Sequence, residues 1–180
     1  MLVYTKENIP VELQTLDLQD YGGLEEYFAT LSPATKSRFG PHPFDKDNIA
    51  AVYAHQHTYN GYIAREKESG KIIAYAIVKN GYLEHDFHRL HAYGTEPDNF
   101  KDCTYAPSVA DEWQGMGVGF HLFRFILSKL KSEGFHRIFL WGGVQAGNQP
   151  AVEFYRRNGF YILGTFQHNG ENYDMVFDIK

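Results

Sequence analysis

Apolar positions along the chain change period from one segment to the next, and the changes predict alternating strands and helices. Residues 13–18 read as a first strand or turn. Over residues 20–30, Leu24, Tyr27 and Phe28 fall at helical spacing. Ser32-Pro33 has the form of an N-cap followed by proline at the first helical position, opening a short second helix through Phe39. Gly40-Pro41-His42-Pro43 must be a loop, and residues 48–57 are expected to make another helical turn. Residues 59–66 and 71–79 are strand-like runs around Ser69-Gly70, a hairpin signal. Ile72, Ile73, Tyr75, Ile77 and Val78 make the second run a buried strand. Residues 82–102 are polar, rich in His and Asp, and show no assignable period. Residues 104–110 are expected to form a short strand interrupted by Pro107.

The strongest pattern covers residues 117–131. Val118, Leu122, Phe125, Ile126 and Leu130 lie along one helical face, and Phe123 and Leu127 widen the stripe enough to pack on a sheet. Lys129 and Lys131 fall in the last turn, where the helix dipole favours cations, and Gly134 supplies the stop. Residues 137–141 read as a buried strand that Gly142-Gly143 ends or bends. Asn148 is expected to cap a further helix, with Pro150 in its first turn and Asn158-Gly159 at its end. Residues 161–167 and 173–179 close the chain as a hairpin around Asn169-Gly170.

A length of 180 residues suits one domain. The aromatic share is high at 16%, and such side chains both fill cores and line clefts for apolar or amphipathic ligands. A formal net charge of -5 gives no global positive field for nucleic acid or an anionic membrane, so an anionic cofactor must be held by local donors. Cys103 has no partner for an internal disulfide, residues 1–10 lack an apolar signal core, and no apolar stretch is long enough for a bilayer. A cytoplasmic protein is the expectation.

Trp113-Gln114-Gly115-Met116-Gly117-Val118-Gly119 lies between a strand and that strongest helix. The first N–H groups of a helix lack internal partners, and the dipole adds partial positive charge there. Glycines remove the Cβ atoms that would hold a phosphate away, so the turn can cradle a pyrophosphate without a basic side chain. Taken alone, the glycines are better read as serving only a tight strand-to-helix turn. No Gly-Lys-Ser/Thr follows, which excludes a P-loop. The third glycine comes one residue early for a dinucleotide fingerprint, and the next strand ends in Trp141-Gly142-Gly143 instead of an acid.

Gln114-x-x-Gly117-x-Gly119 resembles the Gln/Arg-x-x-Gly-x-Gly/Ala signature of the GNAT superfamily of acyl-CoA-dependent N-acetyltransferases. A second element, Asn148-x-x-Ala151-x-x-x-Tyr155-x-x-x-Gly159-Phe160, is similar to that family too, in the right order and with a helix and strand between. The likeness covers Thr104 to the C-terminus and extends over the preceding hairpin. Leu31-Ser32-Pro33, Arg38-Phe39 and Ala110-Asp111-x-Trp113-Gln114-Gly115 look closest to the GNAT domains of bacterial protein-lysine acetyltransferases.

The resemblance implies a single α/β domain over residues 1–180, with a mixed central sheet, two splayed strands and helices on both faces. It implies direct transfer from acetyl-CoA to a primary amine in a ternary complex, the acceptor being a small molecule or a protein lysine, and it leaves a homodimer open. By the same resemblance, the backbone at Ser108 and Val109 would hold the pantetheine arm. Gln114, Gly115, Met116, Gly117, Val118 and Gly119 would take the pyrophosphate. Asn148 would cap its helix and touch the pantetheine, and Tyr155 would protonate the departing thiolate.

The family often places a Glu as base on the preceding strand, where this chain has Thr104, and a threonine cannot serve. Glu84, His85, Asp86, His88 and His91 are the available substitutes. The missing Glu motivates one alternative, a non-catalytic acyl-CoA-binding regulatory module; a nucleotide-binding protein is a third. No metal is expected, since His85-x-x-His88-x-x-His91 lacks a recognised ligand frame and His55-x-His57 is weaker still. Cys103 has no legible activating neighbour and is expected to be inert.

Overall fold

The computed structural model describes residues 1–54 and 58–180. It is an α/β fold around a mixed nine-stranded sheet. The strands are β1 (Leu2–Tyr4), β2 (Pro10–Thr15), β3 (Tyr59–Glu66), β4 (Ile72–Asn80), β5 (Asp102–Val109), β6 (Arg137–Leu140), β7 (Val144–Gln145), β8 (Tyr161–Gln167) and β9 (Glu171–Asp178). Their order is β1-β2-β3-β4-β5-β6-β9-β7, with β8 beside β9. The helices are α1 (Tyr21–Thr30), α2 (Pro33–Arg38), α3 (Lys46–Ala54), α4 (Phe87–Ala92), α5 (Val118–Ser132) and α6 (Gln149–Arg157). Residues 55–57, the end of the predicted turn 48–57, lie outside the described residues together with His55 and His57.

The chain divides into two compact units. The first comprises Met1–Val78 and Ala106–Ser128. Here β2 pairs antiparallel with β1 and with β3, in register from Val11↔Glu66 to Thr15↔Tyr62. Leu13, Leu24, Phe28, Ile49, Ile63, Ile77, Leu122 and Ile126 are fully buried, so the apolar stripes read from the sequence do form its core. Ser32 caps α2 by accepting from the Thr35 N–H at 3.2 Å.

The second unit comprises Lys79–Tyr105 and Lys129–Lys180. β5 and β6 pair in parallel from Asp102↔Arg137 to Tyr105↔Leu140, and β9 runs antiparallel to β6, β7 and β8. Leu90, Phe139 and Val176 pack together with Tyr82, Tyr93 and Leu163. The predicted hairpin is β8–β9, with Asn169 and Gly170 both at positive φ in its turn.

Two expectations change. Pro107 does not interrupt its strand: β5 is continuous from Asp102 to Val109. β6 ends at Leu140, so the proline stands two residues past the last rung of the β5–β6 ladder, where a missing N–H breaks none of those bonds. Residues 82–102, without a sequence period, contain a single turn of 3-10 helix at Glu84–Asp86 followed by α4. Six residues are too few to display a helical period.

Candidate active site

The glycine turn belongs to the first unit. β5 ends at Val109, a 3-10 turn spans Asp111–Trp113, and Gln114–Gly117 leads into α5. Gly115 and Gly117 have φ of 77° and 92°, which side-chain-bearing residues rarely adopt. A Cβ at Gly115 would meet nothing within 4 Å; one at Gly117 would meet Lys6 Cγ at 3.8 Å and His121 Cδ2 at 4.0 Å. The main chain of this turn is therefore open to an incoming group. The His121 N–H donates to the Gly117 carbonyl at 3.1 Å, so Val118, Gly119 and Phe120 carry helix-opening N–H groups that precede the first helical bond.

The turn is held in place from several directions. Gln114 Nε2 donates to the Val109 carbonyl at 3.1 Å, which ties the turn to the end of β5. Asp111 accepts from the Ser32 N–H (2.9 Å), Ser32 Oγ (2.9 Å) and Thr35 Oγ1 (2.7 Å), and the Ser32 N–H foremost lowers its carboxyl pKa. The Lys6 N–H donates to the Met116 carbonyl at 3.0 Å. Ser108 Oγ accepts from the buried Tyr27 hydroxyl at 2.9 Å, which fixes this end of β5 against α1.

Tyr155 and Asn148 lie in the second unit. Tyr155, on α6, is 8% exposed and meets Phe154 and Phe160 edge-on, with centroids 5.4 and 5.3 Å away. Burial pushes the phenol pKa up, so the group stays a neutral donor near pH 7. Asn148 occupies the position before α6, but its side chain makes no capping bond. The expected side-chain cap is thus corrected. At ψ 66° the residue departs from the extended cap conformation, and its backbone carbonyl accepts from Val152 at 3.0 Å. Gln149 Nε2 to the Ala146 carbonyl at 2.9 Å and Pro150 stabilise that end of the helix.

Thr104 is buried and donates to the Gly81 carbonyl at 2.9 Å, a structural bond. Among the proposed substitutes, Asp86 is buried and takes Arg89 Nη2 at 2.7 Å. Arg89 also reaches Asp174 (Nε to Oδ2, 2.6 Å) and stacks on Phe166 at 3.8 Å. Desolvation raises the Asp86 pKa despite Arg89. His85 lies 3.4 Å from Asp86 and is mostly exposed, while His91 stacks on Phe87 and faces Glu96 at 3.4 Å. His88 meets the edge of the same Phe87 ring. Among the described residues no group of three or more His, Cys, Asp and Glu could hold a metal ion. Cys103 is fully buried and its thiol pKa is driven up, mainly by desolvation, so it is inert.

A buried chain in the first unit was not legible in the sequence. His42 Nδ1 lies 2.6 Å from the Pro43 carbonyl, which can only accept, so this nitrogen carries the hydrogen. His42 Nε2 then accepts from the Tyr75 hydroxyl at 2.8 Å, and Tyr75 accepts from Tyr53 at 2.5 Å. Phe28, Phe39 and Phe44 enclose the imidazole and Tyr75, and desolvation lowers the His42 pKa. The loop signal at Gly40–Pro43 placed His42 outside any element; nothing local showed that the loop folds inward.

Residues 24–160 match the acetyltransferase (GNAT) family, and the chain belongs to it. A member of this family is an acyltransferase with acetyl-CoA as co-substrate. Among curated proteins no sequence matches. Solved structures share the fold at low identity. The GNAT domain of S. lividans PAT has a TM-score of 0.72 at 17% identity, covering 99% of this chain and 96% of that one. The ribosomal-protein-S5-alanine acetyltransferase from Vibrio fischeri gives 0.72 at 15%, covering 94% and 93%. The structure of yncA from Salmonella typhimurium with its cofactor acetyl-CoA gives 0.70 at 18%, covering 94% of each. No helix among the described residues is long and apolar enough to cross a membrane.

Proposed function

We propose that this chain transfers an acetyl group from acetyl-CoA to a primary amine by direct attack in a ternary complex. The neutral amine forms the new C–N bond as the thioester C–S bond breaks. The departing thiolate takes the proton of the Tyr155 phenol, and the amine releases its own proton to solvent or a water chain. The pyrophosphate rests on Gln114, Gly115, Met116, Gly117, Val118 and Gly119, and the pantetheine arm on the backbone of Ser108 and Val109. The observation that carries this reading is the open main chain at two positive-φ glycines ahead of the free N–H groups of α5.

Acceptors of the fold's neighbours include spermidine and ribosomal-protein alanine, as their names state. For this chain the acceptor class is a small-molecule amine or a protein lysine. Thiol release from acetyl-CoA, followed across a panel of amines, polyamines and lysine peptides, tests the proposal. Transfer to any primary amine supports it. Tight CoA binding with no transfer to the whole panel would replace it with the binding-module reading.

A further inference from the structure

We infer that Lys6 clamps the cofactor's pyrophosphate, as a specificity residue supplied by the turn between β1 and β2. The inference rests on the assignment of Gln114–Gly119 to that pyrophosphate.

Residues 110–121 contain no Lys or Arg, but do contain Asp111 and Glu112, so the glycine turn itself carries negative formal charge. A pyrophosphate diester adds two more negative charges, and helix N–H groups contribute only partial ones. Lys6 brings a full cation to this turn from more than a hundred residues away in sequence. Its Nζ donates to the Gly115 carbonyl at 2.9 Å, and its Cγ stands 3.8 Å from where a Gly117 Cβ would be. The stem of Lys6 and the ring of His121 thus wall the space above Gly117 that a phosphate would enter.

The position of Lys6 is built. Thr5, buried, donates its N–H to the Ile9 carbonyl at 3.0 Å and accepts from the Ile9 N–H on Oγ1 at 3.1 Å. Asn8, at φ 64°, closes the turn by donating to the Thr5 carbonyl at 2.9 Å. The main-chain bond from Lys6 to Met116 then registers this turn against the glycine turn, whatever the side chain does. A single carbonyl uses one of the three N–H donors of an ammonium group. The side chain is exposed, so it can turn from Gly115 to an arriving phosphate oxygen without unfolding anything.

Calorimetric titration of wild type and Lys6→Met with CoA and with 3′-dephospho-CoA tests this, beside turnover of S-acetyl-pantetheine, which lacks phosphates. Lys6→Met is expected to weaken both nucleotides about tenfold, as for a charge-assisted bond at an exposed site. The slope of log affinity against log salt should become shallower, turnover of S-acetyl-pantetheine should not change, and Lys6→Arg should restore binding. A brace that merely shaped the turn would weaken both nucleotides with the salt slope unchanged, which would overturn the inference. A loss seen with CoA but absent with 3′-dephospho-CoA would move the contact to the 3′-phosphate and overturn the pyrophosphate clamp. Equal CoA affinity in wild type and variant removes Lys6 alone. Wild type that binds CoA no better than S-acetyl-pantetheine removes the assignment of the turn itself.

Discussion

In the proposed mechanism the Tyr155 phenol must stay protonated until the bond to sulfur breaks, and its surroundings favour this. Burial between Phe154 and Phe160 raises its pKa, so it does not ionise near neutral pH. Tyr155→Phe keeps the ring packing and removes only the proton. We expect kcat to fall about a hundredfold or more, within the usual range for a general acid, with acetyl-CoA affinity nearly unchanged. Unaltered single-turnover chemistry in that variant would take Tyr155 out of the role. At Gly117, with φ 92° and the Lys6 stem and His121 ring in ordinary contact beyond Cα, Gly117→Val both blocks approach and strains the backbone. CoA binding should weaken at least tenfold in a variant whose circular dichroism remains native; native spectra with native CoA affinity would show that the turn does not hold the cofactor. Both residues are proposed from motif spacing. Lys6 and His42 were not legible in the sequence, because a single lysine near a terminus and a histidine between prolines gain meaning only from partners far away in the chain.

Among the elements, α5, α6 and the β8–β9 hairpin carry their own local signals: an apolar stripe, a proline in a first turn, an Asn-Gly turn. These were read correctly for that reason. β1 is three residues long and mostly exposed, so no pattern marked it. α4 is short and is fixed by tertiary bonds instead of periodicity. Arg89 joins it to β9 by lying between two buried carboxylates, Asp86 and Asp174, and Tyr93 Oη donates to Asp174 at 3.1 Å. The ring of Tyr93 lies against Gly164, where any Cβ would collide with it. Removing the cation strands two acids out of water, so Arg89→Met should cost about 3 kcal/mol at pH 7. The direction of recovery follows from linkage. Desolvation already raises the Asp86 pKa in the folded state, and without Arg89 it must rise further. An acid whose folded pKa lies above its unfolded value gains relative stability as pH falls toward and through that folded pKa. The gap between variant and wild type in urea unfolding should therefore narrow from pH 7 to pH 5; a constant gap would mean that lost packing on Phe166, not charge, sets the cost.

For the molecule as a whole, composition and charge bounded the function class, and two separated motifs specified the family, while the buried polar groups that set its pH response stayed invisible. His42 is the clearest of these. Its ring faces the Pro43 carbonyl, the Tyr75 hydroxyl, Phe28 and Phe44, and Asp45 is the nearby charge that partly offsets the penalty of ionising it. Desolvation dominates and lowers its folded pKa below the ordinary value near 6.5. The unfolded chain therefore binds this proton more readily than the folded one, and stability rises with pH wherever that holds. The contribution is complete above the unfolded pKa and is lost as pH falls from about 6.5 through the folded value. Protonation would also turn Nε2 from acceptor to donor, so Tyr75 would have to turn its hydroxyl hydrogen toward Tyr53, which would change from donor to acceptor. His42→Gln keeps polar atoms near both partners and removes the titration. Between pH 7.5 and 5.5 ordinary carboxylates near pKa 4 scarcely titrate, so the window isolates imidazole effects. Wild type should lose urea midpoint over that interval by clearly more than His42→Gln, although the variant starts less stable. Parallel losses would show that His42 binds its proton equally well in the folded and unfolded chain, so that its burial does not set the pH response.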